Sequence, residues 1–223
     1  MKIAIIVAMS KELRLLLPML GDAATVELPG KAVMHCGTIC GNEVAVMECG
    51  IGKVNAAIGA VTLIDNFHPD LLISTGVAAG AGENIAVLDT VVATGVAHHD
   101  FWCIGEEWGQ VPGCPRIFPT VTADAILGED EVKRGVIASG ELFITSREQV
   151  DSILSHFPDT LAIDMESSAV AQAAYLRGVP CLCMRVISDT PWCHHDNSSQ
   201  YESFWDDAPV RSFGLVNKLL NNL

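Results

Sequence analysis

Four carboxylates carry the strongest chemical signal in this chain: Glu12, Asp164, Glu166 and Asp189. Asp164 and Glu166 follow the apolar run Leu161-Ala-Ile163, and Asp189 closes Met184-Arg-Val-Ile-Ser-Asp189. Glu12 follows the first apolar run, Met1-Lys-Ile-Ala-Ile-Ile-Val-Ala-Met9. Apolar runs of this length read as buried strands, and strand ends are where open α/β sheets bind ligands. Burying acids beside a core is costly unless they have partners or a task. Ionised carboxylates only accept hydrogen bonds, so they suit a ligand rich in O–H groups, such as a sugar. Two carboxyls pushed apart in pKa can also act as an acid and a base.

Structural readings stand beside these. Arg185 is a candidate ion-pair partner for the acids. Glu12 lies in the first turn of a helix that Ser10 could cap, where charge–dipole attraction is worth roughly 0.3–1 kcal/mol. Gly50-Ile-Gly-Lys53 precedes a helix but matches neither G-x-x-x-x-G-K-[ST] nor G-x-G-x-x-G, so Lys53 is no evidence of a phosphate site. Gly76-Val-Ala-Ala-Gly80 reads as a turn of small residues, suited equally to a ligand against the backbone or to tight packing. Neither His98-His99 nor His194-His195 favours chelation, because neighbours on an extended chain point to opposite sides. No metal site and no cofactor is expected, and no G-x-S-x-G elbow is present.

The elements that must position these residues alternate. Strands are expected at Lys2–Val7, Thr25–Leu28, Ala32–Cys36, Val44–Glu48, Asp70–Thr75, Ala86–Gly95, Gly135–Ala138, Leu161–Ile163 and Pro180–Ser188. Helices are expected at Ser10–Leu20 with a break at Pro18, and at Val54–Phe67, Gln149–His156, Ser167–Arg177 and Asp206–Asn221. Such alternation implies an α/β fold with a parallel or mixed sheet between helices. Residues 98–119 and 190–203 read as irregular segments.

The 223 residues fit a single domain spanning 1–223. Half are hydrophobic, 18% are charged and the mean hydropathy is +0.36, enough for a large core. The net charge of −14 disfavours nucleic acid and anionic membranes as partners. No apolar run approaches the roughly 18 residues of a membrane helix. The opening run is short and meets Ser10-Lys11-Glu12 at once, so it reads as a first strand rather than a signal peptide. Eight cysteines without a CxxC pair read as small buried hydrophobes in a reducing compartment, so a cytoplasmic protein is expected.

The chain resembles the 5′-methylthioadenosine/S-adenosylhomocysteine nucleosidases of the purine nucleoside phosphorylase superfamily. The resemblance spans nearly the whole sequence. It runs through Met1–Met9 with Glu12, Gly50-Ile-Gly-Lys-Val54, Pro69-Asp-Leu-Leu-Ile-Ser-Thr-Gly76, His99-Asp100 and Trp108-Gly-Gln-Val-Pro-Gly-Cys-Pro115. Ser139-Gly-Glu-Leu-Phe-Ile144, Asp164-Met-Glu166 and Arg185-Val-Ile-Ser-Asp189 continue it. It implies a three-layer α/β/α sandwich around a mixed, twisted sheet, a homodimer, a small-molecule nucleoside substrate, and hydrolysis of its N-glycosidic bond. Carried over by similarity, Asp189 protonates N7 of the leaving adenine and Ser188 orients it. Glu12 activates the attacking water with Arg185 nearby. Glu166 holds the ribose hydroxyls and Met165 packs on the sugar. Phe143 stacks on the purine and the Ile144 backbone reads its edge. Ile51 and either Tyr201 or Phe204 line the thioether pocket.

Departures from the family pattern bear on the 5′ substituent. Val77 stands where a serine is usual, and Asp164-Met165-Glu166 replaces Glu-Met-Glu. The segment 120–133 is shorter than usual, and the loop 190–203 is unlike the pattern. The alternatives are a futalosine or aminofutalosine hydrolase, a phosphate-dependent phosphorylase, and a nucleoside-binding protein without catalysis. Phosphorolysis needs a cationic site that the few basic residues do not suggest, and binding alone does not require a paired acid and base.

Overall fold

A computed structural model of the chain describes residues 1–128, 130–193, 197–207 and 214–223. Among these, ten strands form one sheet: β1 (Lys2–Val7), β2 (Gly21–Glu27), β3 (Val33–Ile39), β4 (Asn42–Glu48), β5 (Leu71–Gly80), β6 (Thr90–His98), β7 (Ile117–Pro119), β8 (Lys133–Ser139), β9 (Thr160–Asp164) and β10 (Cys181–Asp189). The helices are α1 (Ser10–Leu16), α2 (Lys53–Phe67), α3 (Arg147–His156), α4 (Ser167–Arg177), α5 (Asn197–Asp207) and α6 (Gly214–Asn222).

The sheet is layered because its strands are apolar on both faces. Ala4 and Ile6 of β1 join a core with Ala56, Ala60 and Leu63 of α2 and Val170 and Ala174 of α4. Ile3, Ile5 and Val7 face the other way, against Leu16 of α1 and Val216, Leu219 and Leu220 of α6. Successive residues thus serve opposite layers, as the two-residue strand period requires. Full burial of each valine, leucine or isoleucine among them is worth about 1.5–3 kcal/mol. The result is the expected helix–sheet–helix arrangement with a mixed sheet.

One arm of the sheet is open, in the order β2-β3-β4-β1-β5, with β1 parallel to both β4 and β5. The other half curls. β10 runs parallel to β5 from Leu72 to Ala79, and its other edge pairs antiparallel with β6 at Met184–Val186. β6 and β8 are parallel, as are β8 and β9, and β9 returns antiparallel to β5 at Ala79 and Gly80. These five strands close a ring.

The closure explains one departure from expectation. Gly76–Gly80 is no turn, because β5 continues through it as a ten-residue strand. Its small residues sit where neighbours crowd in: a Cβ on Gly80 would overlap Ile85 and stand 3.2 Å from Ile187. The helices also differ from expectation. The N-cap of α1 is Met9, whereas the Ser10 hydroxyl donates to Glu48 (2.9 Å). The chain from Asn197, expected to be irregular, is helical, with Tyr201, Phe204 and Trp205 at helical spacing. The helix expected at 206–221 is described as the end of α5 and as α6, with 208–213 outside the described residues. His194-His195 also lies outside them. No described helix is long and apolar enough to cross a membrane.

Candidate active site

The site begins where the sheet changes from open to closed. β1 leaves β5 after pairing Ile6 with Ser74, and β9 reaches β5 only at Ala79. Between these points this edge of β5 has no strand partner, and the first turn of α1 places Glu12 there. Glu12 Oε2 accepts the N–H groups of Ala8 (2.9 Å) and Met9 (3.0 Å), and Oε1 accepts that of Val77 (3.1 Å). Gly76 permits this approach, since a Cβ there would lie 2.5 Å from Oε1. Three of roughly four lone-pair directions of the carboxylate are thereby filled. Burial raises its pKa, opposed by the Arg185 charge and the three N–H donors. Burial outweighs the helix N-terminus, which alone would keep this acid strongly ionised.

The acids after β9 divide their roles. Asp164 serves the protein itself. It pairs with Arg185 (2.8 Å) and accepts the hydroxyls of Ser139 (2.5 Å) and Ser167 (2.6 Å) and the Ser167 N–H (3.1 Å), joining β8, α4 and β10. Arg185 also donates to the Met184 carbonyl and to Ser74 Oγ, each at 2.9 Å. Its guanidinium is buried behind the cavity, outside the lining. Glu166 accepts the Gly52 N–H (2.8 Å). Its carboxyl is pushed up to about 7, first by burial and then by the Asp164 charge. Asp189 accepts the Ser188 hydroxyl (2.6 Å) and the Asn197 amide (2.9 Å). Burial raises its pKa against both donors.

Glu12, Asp164, Glu166 and Asp189 all border one cavity of about 100 Å³. Val77, Ala78 and Ala79 of β5 contribute one wall, and Ile144, Met165 and Ser188 contribute others. Met9, Ile51, Leu142, Phe143 and Tyr201 supply an apolar lining. The Tyr201 ring meets Phe143 edge-on at 5.5 Å, and its hydroxyl reaches Met9 Sδ at 3.4 Å. Phe204 is buried against Val186, outside the lining. No residue of 98–119 lines the cavity, and no Lys, Arg or His appears among the described lining residues.

The sequence model of the phosphorylase superfamily matches residues 2–221. The 5′-methylthioadenosine/S-adenosylhomocysteine nucleosidase of Maridesulfovibrio salexigens is 40% identical over 234 aligned positions, covering all of both chains. The chain belongs to this nucleosidase family. The likeness holds in three dimensions. The nucleosidase of S. pneumoniae, solved with the transition-state inhibitor MT-ImmA, superposes with a TM-score of 0.92 at 34% identity, covering 99% of each chain. A futalosine hydrolase mutant of Helicobacter pylori gives 0.91 at 27% identity, covering 100% of this chain and 99% of its own.

Within this nucleosidase fold, Lys53 and Asp100 have a role that spacing alone did not reveal. Lys53 Nζ pairs with Asp100 (2.5 Å), Asp100 accepts the Glu141 N–H (2.9 Å), and Glu141 accepts the Lys53 N–H (3.0 Å). This closed ring ties the loop bearing Ile51 and Gly52 to the loop bearing Phe143. Asn197 was also missed. A lone asparagine in a polar stretch gives no sequence signal, and its contacts to Asp189 and to the Ile144 carbonyl (2.9 Å) exist only in the folded chain.

Proposed function

We propose that the chain hydrolyses the N-glycosidic bond of 5′-methylthioadenosine and S-adenosylhomocysteine, releasing adenine. The observation that carries this reading is the pair of buried carboxyls, Glu12 and Asp189, both raised in pKa on the walls of one cavity. Cleavage leaves positive charge on the ribose and negative charge on the base. Water attacks C1′, the C1′–N9 electron pair passes to the purine, Asp189 gives its proton to N7, and Glu12 takes a proton from the water. General acid–base help is typically worth about 10²–10⁴-fold per group.

The remaining residues fit around this chemistry. Glu166 accepts from the ribose hydroxyls, with Met165 against the sugar. Phe143 stacks on the purine, Ile144 reads its edge through the backbone, and Ser188 orients Asp189. Ile51 and Tyr201 enclose the 5′ thioether, with Phe204 supporting from behind. Val77 acts through its N–H on Glu12, and Arg185 acts through Asp164 rather than by touching the substrate. The absence of a cation among the described lining residues favours water over phosphate as the attacking group. The reaction as proposed uses no cofactor.

The whole chain acts as one unit and forms a homodimer. Val54 and Ile58 on α2 are 69% and 62% exposed beside Ile51, an apolar face that a second copy would cover. A cytoplasmic setting fits eight cysteines that are all unpaired.

The test is chromatographic detection of adenine from methylthioadenosine, with and without phosphate, beside Asp189→Asn. Free adenine without phosphate, reduced about 10²–10⁴-fold in the variant, is expected. A phosphate requirement with a sugar 1-phosphate product would refute hydrolysis. The likeness to the Helicobacter pylori protein favours futalosine as the second substrate to run in parallel.

A further inference from the structure

We propose that Asn197 is the positioning residue of the general acid: its amide bridges Asp189 and the Ile144 carbonyl and fixes the carboxyl in its proton-giving orientation. The proposal rests on the reading of Asp189 as that acid. Asn197 is the first residue of α5 and is buried. Its Nδ2 donates to Asp189 Oδ2 and to the Ile144 carbonyl, each at 2.9 Å. Ser188 Oγ donates to the other carboxyl oxygen, Oδ1, at 2.6 Å. One grip comes from β10 itself and one from α5, so rotation of the carboxyl would break at least one bond.

The second grip is itself anchored. One helical turn after Asn197, Tyr201 packs on Phe143, and Phe204 packs on Val186 of β10. The Asn197 N–H also stabilises the carboxylate that proton transfer leaves behind, so it strengthens the acid as well as aiming it. An amide nitrogen cannot accept a hydrogen bond, whereas the Ser188 hydroxyl can turn. Ser188 therefore cannot replace Asn197.

The test compares Asn197→Leu and Asn197→Ala with wild type in adenine release from methylthioadenosine across pH, with melting temperatures alongside. Among the described residues, the other titratable groups around Asp189 are Glu12 from α1, Glu166 after β9 and Tyr201 on α5, with Arg185 further down β10. β5 and residues 142–144 present none. A Tyr201→Phe background keeps the tyrosine out of the alkaline limb, and an uncharged substitution leaves the carboxylates and Arg185 in place. The expected result is a plateau kcat lower by roughly 10–10²-fold, with KM within a few-fold. The alkaline limb of kcat, where Asp189 loses its proton, should move to higher pH because a donor that favoured the carboxylate is gone. A folded variant with kcat within about threefold of wild type would overturn the proposal. So would a loss of kcat with an unmoved limb, or unfolding of both variants, either of which assigns Asn197 a structural role. A wild-type protein that releases no adenine would instead refute the hydrolase reading on which the proposal rests.

Discussion

Replacing Gly76 with alanine should disable Glu12 without touching it. The added Cβ would stand 2.5 Å from Oε1, 3.1 Å from Cδ and 3.4 Å from Oε2 of Glu12. Ordinary contact requires about 3.4 Å or more, so the carboxylate must retreat by roughly 1 Å. That retreat breaks the bond from the Val77 N–H, now 3.1 Å. A hydrogen bond to a charged group is worth about 1.5–3 kcal/mol. Misplacing a catalytic group by about 1 Å costs on the order of 10²-fold. We therefore expect kcat to fall about 10²-fold, with KM changed far less.

The pH profile separates this mechanism from simple overpacking. Glu12 must be ionised to take a proton, so its pKa sets the acidic limb of kcat. Losing the Val77 donor removes one of the influences that hold this pKa down. The acidic limb should therefore move to higher pH. Overpacking adds a stability cost of about 1–3 kcal/mol, or a few degrees of melting temperature for a chain of this size. Steady-state adenine release from pH 5 to 9, with a thermal melt, measures all three quantities. A folded variant with kcat within about threefold of wild type, or a large loss with an unmoved acidic limb, would refute the reasoning.

Other outcomes follow from the same geometry. Glu166 has a folded pKa of about 7 against an ordinary 4.5, so between these values the folded state binds more protons than the unfolded chain. Stability should therefore fall as pH rises through that window, by at most on the order of 3 kcal/mol and less because Asp164 shares the coupling. Glu166→Gln should accordingly melt higher than wild type at pH 8 but not at pH 4, while its KM rises; equal melting at pH 8 would contradict this. Asp100→Asn opens the Lys53–Asp100–Glu141 ring and loosens the Gly52 N–H on Glu166. It should raise KM several-fold with kcat nearly kept, as read from initial rates. On the proposed assembly, wild type should run as a dimer by light scattering and Val54→Glu with Ile58→Glu as a monomer at the same concentration.

The sequence made much of this legible because burial leaves a local trace. Residues 3–7 and 71–73 are unbroken apolar stretches, residues 181–187 are apolar apart from Arg185, and an acid that follows such a stretch stands out. Glu12, Glu166 and Asp189 were found in that way, and all three border the cavity. What stayed hidden depends on pairing between distant segments. The continuation of β5 through Gly76–Gly80 looks like a turn until β10 and β9 close around it. Asp164 looks like a ligand-binding acid until Arg185, Ser139 and Ser167 occupy it. α5 was obscured by its polar residues, although Tyr201, Phe204 and Trp205 carry the helical period.

The charge balance of the site links fold to rate. Four acids meet at the cavity, and Arg185 behind it forms its ion pair with Asp164. Glu12, Glu166 and Asp189 have no cation beside them among the described lining residues. Burial, which follows from the closing of the ring, raises all three in pKa. In the ground state the Arg185 charge compensates Glu12 and Glu166 in part, and burial outweighs it. The proposed reaction adds positive charge: the ribose becomes cationic as the C1′–N9 bond stretches, and the attraction of Glu12 and Glu166 for it grows with that charge. Interactions that strengthen only in the transition state are the ones that accelerate the chemical step. Introducing a fixed cation on this lining, as in Met165→Lys, should on this argument lower kcat even where the substrate still binds.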